Sequence, residues 1–289
     1  MALTGVILEL AIIVTTMLVS ATLVIVGPRR LVVALRESRW RLEVAALPLA
    51  VLLSVLAIRW STQDILPRLS WRVIGSNITA SIEQFESTLF EEHPHAVIQS
   101  IQTDELTSFF VFIYIYGYAF LLLFPFIAYF ALDEMDELST LVLAFTANYG
   151  IGLLCYAFFI AYGPRNLALA DQLLYEAFPQ AGYLTHEVNQ NTNVFPSLHT
   201  SLAMTTFFLA WYTRDKYPLW VPLSGFLAIS VAISTMYLGI HWFSDVAAGT
   251  VLAVISVYIG LNYSIHGLAR SFQLFVQSQV EKQRRPRSE

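Results

Sequence analysis

The sequence predicts an all-α integral membrane protein, a bundle of about seven transmembrane helices whose last five form a C-terminal core. Three observations carry that prediction. Of the 289 residues, 56% are apolar. Charged residues make up 13%, about half of what a soluble domain carries. The apolar residues also come in blocks close to the roughly 20 residues that cross a bilayer as a helix.

The blocks fall at 4–27, 44–60, 107–131, 139–162, 198–213, 218–238 and 245–268. The first is too long for a signal-peptide core, lacks a basic leader and is followed by arginines, so it is expected to remain as a span. The fifth is short and carries threonines, which predicts a helix packed inside the bundle rather than against lipid. The sequence divides into residues 1–106, two helices plus an outer amphipathic loop; 107–269, the membrane core; and 270–289, a basic tail. Within the first loop, Ile82, Phe85 and Leu89 stand at helical spacing, the pattern of helices lying on a surface. His93 and His95 flank Pro94 there in an acidic setting and read as part of a solvated loop. The sequon Asn77-Ile78-Thr79 adds a possible glycosylation acceptor without mechanistic weight. Cys155, alone, reads as a packing residue.

Orientation follows from the cations, since arginine and lysine favour the cytoplasmic side. Arg29, Arg30, Arg36, Arg39, Arg41, Arg214, Lys216, Arg270, Lys282, Arg284, Arg285 and Arg287 fall on one side of a seven-span chain, and only Arg59, Arg68, Arg72 and Arg165 on the other. The twelve-to-four bias predicts an amino terminus outside and a cytoplasmic carboxyl terminus. The net charge of −5 excludes a nucleic-acid-binding surface built on a basic excess.

Three pieces of chemistry then share the outer face. His241 and Asp245, in "YLGIHWFSD", lie four residues apart, on one face of a helix. Such an aspartate fixes the imidazole tautomer and raises the basicity of the far nitrogen, as a nucleophilic or general-base histidine requires. Taken alone the pair reads equally well as an anchor for a helix end. In "FPSLHTS", Pro196 and Ser197 mark a helix amino terminus, where free N–H groups bind anions. His199 lies in the first turn, within reach of a leaving oxygen, although taken alone this stretch reads more readily as a capped helix with an interfacial histidine. Arg165, in "YGPRN", offers a guanidinium to phosphate oxygens.

In this order the three pieces resemble the signature of the type-2 phosphatidic acid phosphatase superfamily, over roughly Tyr162 to Gly249. "FPSLHT" and "STMYLGIHWFSDV" are similar to its inositol phosphorylceramide synthase branch. The resemblance implies His241 as a nucleophile forming a phosphohistidine, Asp245 as its orienting partner, and His199 as general acid and then base. It implies Arg165 and Ser197 as phosphate ligands, with no metal and no cofactor. It also implies catalysis on a lipid phosphate or phospholipid, with water or a lipid alcohol as acceptor, at the outer face that the cation bias predicts. The sequence departs from the phosphatase pattern at Phe158, where that pattern has lysine, at Asn166, where it has proline, and at Ser234-Thr235, where it has arginine. A transporter or scaffold in which His241 and Asp245 relay protons is the non-enzymatic alternative.

Overall fold

Apolar blocks become helices because a backbone in hydrocarbon must satisfy its own N–H and C=O groups. The computed structural model of the chain describes residues 3–62, 77–182 and 191–265, together with Ile65, Trp71, Gly267, Leu268, Arg270, Leu274 and Gln277. Arg68 and Arg72 and nearly all of the basic tail lie outside the described residues. The first span is α1 (Leu3–Ala21) continued by a π turn, Thr22–Val26. A short helix, α2 (Pro28–Arg36), opens with proline in its first turn, where the missing N–H costs nothing. Next come α3 (Ser38–Thr62), α4 (Thr79–Leu89) and α5 (Pro94–Gln99). The third block is one rod, α6 (Asp104–Phe112), a π turn at Ile113–Gly117, and α7 (Tyr118–Phe130). Its start is set by Thr103, whose side chain accepts from the Leu106 amide, with Asp104 and Glu105 facing the positive end of the helix. The rest comprises α8 (Asp136–Phe158), the short α9 (Leu173–Ala177), α10 (Leu198–Tyr212), α11 (Trp220–Tyr237) and α12 (Phe243–Asn262).

Among the described residues each of the seven apolar blocks is helical over most of its length, and six helices are long and apolar enough to cross a membrane. The exception is α10, whose 15 residues reach about 22 Å at 1.5 Å per residue, short of a hydrocarbon core of about 30 Å. It is the central helix instead, packed against α7, α8, α11 and α12. Only Trp211 and Tyr212 of α10 are exposed. Two of its hydroxyls are matched from α8, where Asn148 Nδ2 donates to Ser201 Oγ and Thr205 Oγ1. Helices α3 and α1 flank this core against α8 and α7.

Small residues let the helices approach closely. A Cβ on Gly249 of α12 would stand 2.5 Å from the Ser197 carbonyl oxygen at the start of α10. Backbone cannot yield there cheaply, so Gly249→Ala is expected to destabilise the protein by about 1–3 kcal/mol. The check is the melting temperature in detergent, which should fall.

Several expectations change. Helix α3 begins at Ser38, so Arg39 and Arg41 are helical rather than in a loop. Arg41 is 1% exposed, donating to the Phe130 and Leu132 carbonyls and pairing with Glu37. It is a structural tie, because its charge is held inside the bundle end. Helix α8 stops at Phe158, and residues 160 and 161 pair instead with Asn77 and Asn193 through isolated bridges. Helix α4 exists, but Thr79, Ile82 and Glu86 form its buried face while Phe85 and Leu89 are exposed. The stripe is split, with Ile82 turned inward beside Glu86 and Phe85 and Leu89 turned outward.

Candidate active site

The chain segments 160–167, 193–199 and 239–245 meet at the bundle end opposite Arg41. Two turns bring them there. A Cβ on Gly163 would lie 2.1 Å from the Ile240 carbonyl oxygen, so only glycine lets these two loops touch. Beside it, the Arg165 amide donates to the Gly239 carbonyl at 3.1 Å. Trp242, fully buried, donates its indole N–H to the Tyr162 carbonyl at 2.8 Å. At the third segment, the Ser197 amide donates to the Asp245 carbonyl at 3.0 Å, which docks the start of α10 on the first turn of α12.

His241 and Asp245 are both buried, with His241 Nδ1 3.3 Å from Asp245 Oδ2. The same oxygen accepts the Trp242 amide at 2.8 Å, as an acidic residue in a helix first turn does. The helix anchor and the histidine partner are therefore one atom. With Nδ1–H assigned toward the carboxylate, Nε2 is the nitrogen left for chemistry. Burial lowers the His241 pKa well below the ordinary histidine range, with the Arg165 guanidinium adding to that effect and the Val194 carbonyl opposing it. The imidazole is neutral at physiological pH.

Ser197 caps α10, its side chain accepting from the Thr200 amide at 3.4 Å. His199 projects into a cavity of about 270 Å³ whose lining also includes Arg59, Tyr118, Tyr156, Asn193 and His241. Its ring is stacked against Tyr114, with centroids 4.6 Å apart, and against Tyr118, at 4.5 Å. Both tyrosines come from the rod that carries the π turn, an irregularity that recurs at functional sites. Arg165 reaches Tyr175, with its Nη2 3.4 Å from the hydroxyl and its guanidinium 4.9 Å from the ring centre. Its buried Nη1 has no hydrogen-bond partner among the described residues.

All five residues picked out in the sequence thus stand at one end of the bundle. One was missed. Arg59, on the last turn of α3, lies over Tyr149 and Tyr156 at 5.5 and 5.8 Å. Its Nη1 is also buried without a partner. The signal was present, a lone cation ending an apolar run, but it was counted only for orientation. Phe158, where the phosphatase pattern has lysine, is 51% exposed. His93 and His95, expected in a solvated loop, are instead packed edge-on against Trp242 at 5.6 and 5.2 Å. They turn inward because α4 and α5 fold back over the loop that carries His241.

A sequence model of the PAP2 superfamily matches residues 80–259. The chain belongs to the PAP2 superfamily. PAP2 superfamily members are phosphatases or phosphotransferases, which fits a buried histidine near two arginines that each keep one buried nitrogen without a hydrogen-bond partner among the described residues. Helices α1 to α3, and with them Arg59, precede the matched PAP2 region. The uncharacterized protein MJ0662 of Methanocaldococcus jannaschii is 29% identical over 154 residues, which is 51% of this chain and 58% of that protein. The chain therefore spans little more than half the length of that relative. No solved structure matches the chain.

Proposed function

We propose that the protein transfers the phosphoryl group of a lipid phosphate or phospholipid through a phosphohistidine at His241, in the inositol phosphorylceramide synthase-like branch of its superfamily. The observation that carries this reading is the His241–Asp245 pair, buried, neutral at Nε2 and set beside Arg165. In the first step, the Nε2 lone pair attacks phosphorus and the bond from phosphorus to the lipid or head-group oxygen breaks. His199, on the same cavity, gives its proton to the departing alkoxide. In the second step, His199 takes a proton from the acceptor, whose oxygen attacks phosphorus as the P–N bond breaks and His241 is regenerated. Asp245 holds the tautomer throughout and stabilises the charge that develops on the ring. Arg165, Arg59 and the amide end of α10 above Ser197 receive the phosphoryl oxygens. Protein side chains supply every step, with no metal at phosphorus.

The apolar part of the lining favours a lipid. Leu56, Trp60, Leu198 and Leu202 wall the cavity beside the polar groups, an arrangement that suits an acyl or polyprenyl chain with a phosphate at its end. The cation bias supports an extracytoplasmic position for this end of the bundle, with the amino terminus outside and residues 270–289 in the cytoplasm, provided that α10 counts as a seventh pass. That helix runs from Ser197 beside Asp245 to Thr213 beside Tyr129. The same pocket could seat a lipid alcohol, which makes head-group transfer from a phosphatidylinositol-type donor the second reading.

One assay tests both. Purified protein is incubated with a panel of phosphorus-labelled lipid phosphates and phosphodiesters, with and without lipid alcohols, and quenched samples are examined for acid-labile, base-stable label on protein. Label at histidine with free phosphate released identifies the phosphatase. A new labelled phospholipid identifies the transferase. Turnover with no protein-bound label at any time in single-turnover sampling sinks the covalent route.

A further inference from the structure

Three side chains outside the phosphoryl site converge with only a 3.8 Å His93–Glu86 contact and the stacking of the two histidine rings between them. Glu86 lies on α4, His93 caps α5 and His95 sits in the first turn of α5. One ligand atom from each lies within 4.8 Å of those from the other two. Glu86 and His95 are fully buried, and His93 is 23% exposed. Each places there a buried polar atom without a hydrogen-bond partner among the described residues: Glu86 Oε2, His93 Nδ1 and His95 Nδ1. Three orphaned lone-pair bearers at one point are costly in a protein interior unless something accepts from all of them.

The far side of each ligand is already supported. His95 Nε2 is 3.3 Å from the Leu169 carbonyl, and His93 Nε2 is 3.3 Å from Ser87 Oγ. Glu86 Oε1 accepts the Ser244 amide at 2.7 Å. Histidines whose outer N–H groups are tied to oxygen present their other nitrogens as lone pairs, the usual arrangement around a bound metal. No lysine or arginine is paired with Glu86 among the described residues; its only ion-pair contact is His93 Nδ1 at 3.8 Å. A second buried carboxylate, Asp245, lies within electrostatic reach of Glu86, which favours a cation in this region. Tetrahedral ligands about 2.0–2.1 Å from zinc stand roughly 3.3 Å apart, so the triad needs to close by no more than about 1.5 Å.

We propose that Glu86, His93 and His95 form a structural zinc site that pins α4 and α5 onto the loop carrying His241. Two imidazoles and one carboxylate suit zinc, whereas magnesium and calcium favour sites made of oxygen alone. The ion would act at a distance from phosphorus. Glu86 holds the Ser244 amide and both histidine rings press on Trp242, whose amide in turn binds Asp245.

The test uses the full chain, purified without a histidine tag from zinc-supplemented cells, and reads metal content and melting temperature rather than turnover. About one zinc per chain is expected, with chelation removing it and lowering the melting temperature, and added Zn²⁺ restoring both. His93→Ala and the milder His93→Gln, at the partly exposed ligand, and Glu86→Gln should purify with zinc near background and lose the response to chelator. Zinc at background in the unaltered protein with no thermal response to Zn²⁺ overturns the proposal, and so does stoichiometric iron or manganese in its place. Full zinc retention by both His93 variants overturns it as well. These readouts stand whether or not the lipid assay finds a substrate.

Discussion

Replacing His241 by alanine is expected to lower phosphoryl release or transfer by about 10⁴- to 10⁶-fold, the range seen when a covalent nucleophile is removed. The size of the effect follows from what remains. Arg165, Arg59 and the amide end of α10 could still bind the phosphate, so KM should change far less than kcat. Water would then have to attack phosphorus directly, without a nitrogen positioned by Asp245. The substitution also deletes a buried ring and one of two contacts on Asp245 Oδ2, while the Trp242 amide keeps the other. Some loss of stability is therefore expected, about 1–3 kcal/mol. His241→Asn separates the two effects, since its amide N–H can still face Asp245 but cannot attack phosphorus. Both variants should fold, bind lipid phosphate and fail to take up protein-bound label. Full activity in either one would remove the phosphohistidine mechanism.

The spans were legible because each apolar block is a local property, read residue by residue. So was the central place of α10, since threonines at that density have partners inside a bundle and none in lipid. The His241–Asp245 pair was legible through its spacing, although α12 starts at Phe243, so His241 reaches Asp245 from the preceding loop rather than along a helix face. What escaped was non-local. Arg41 looked like a loop cation, and only the approach of residues 130–132 shows why its charge is buried. Phe85 and Leu89 set the apparent face of α4, yet the fold buries Glu86, because the α12 amide at Ser244 sits there to receive it. His93 and His95 gave no sign of being under Trp242, which lies some 150 residues later in the chain. Arg59 sits on a helix ahead of the family's matched region, so no motif pointed to it.

Arg59 and Arg165 should each cost about 10²- to 10³-fold in kcat/KM when changed to alanine, the magnitude of one donor lost from a site where charge develops. The phosphoryl group carries more negative oxygen than one guanidinium can match, and the pattern's lysine is here an outward-facing phenylalanine. Both arginines end in a buried N–H group with no partner among the described residues, which is the state expected of donors kept for a ligand. They approach from different elements, Arg165 beside His241 and Arg59 beside His199. If they share the phosphoryl oxygens, the double variant should lose less than the product of the two single effects, because residues acting as a unit are not additive. Lysine should rescue only in part, since a single ammonium cannot reproduce a two-pronged contact. An Arg59→Ala protein with kcat/KM within threefold of the unaltered enzyme would leave Arg165 and the α10 amides as the whole phosphate site. In that outcome Arg59 would serve only to stack on Tyr149 and Tyr156, and its variant should melt at a lower temperature while turning over normally.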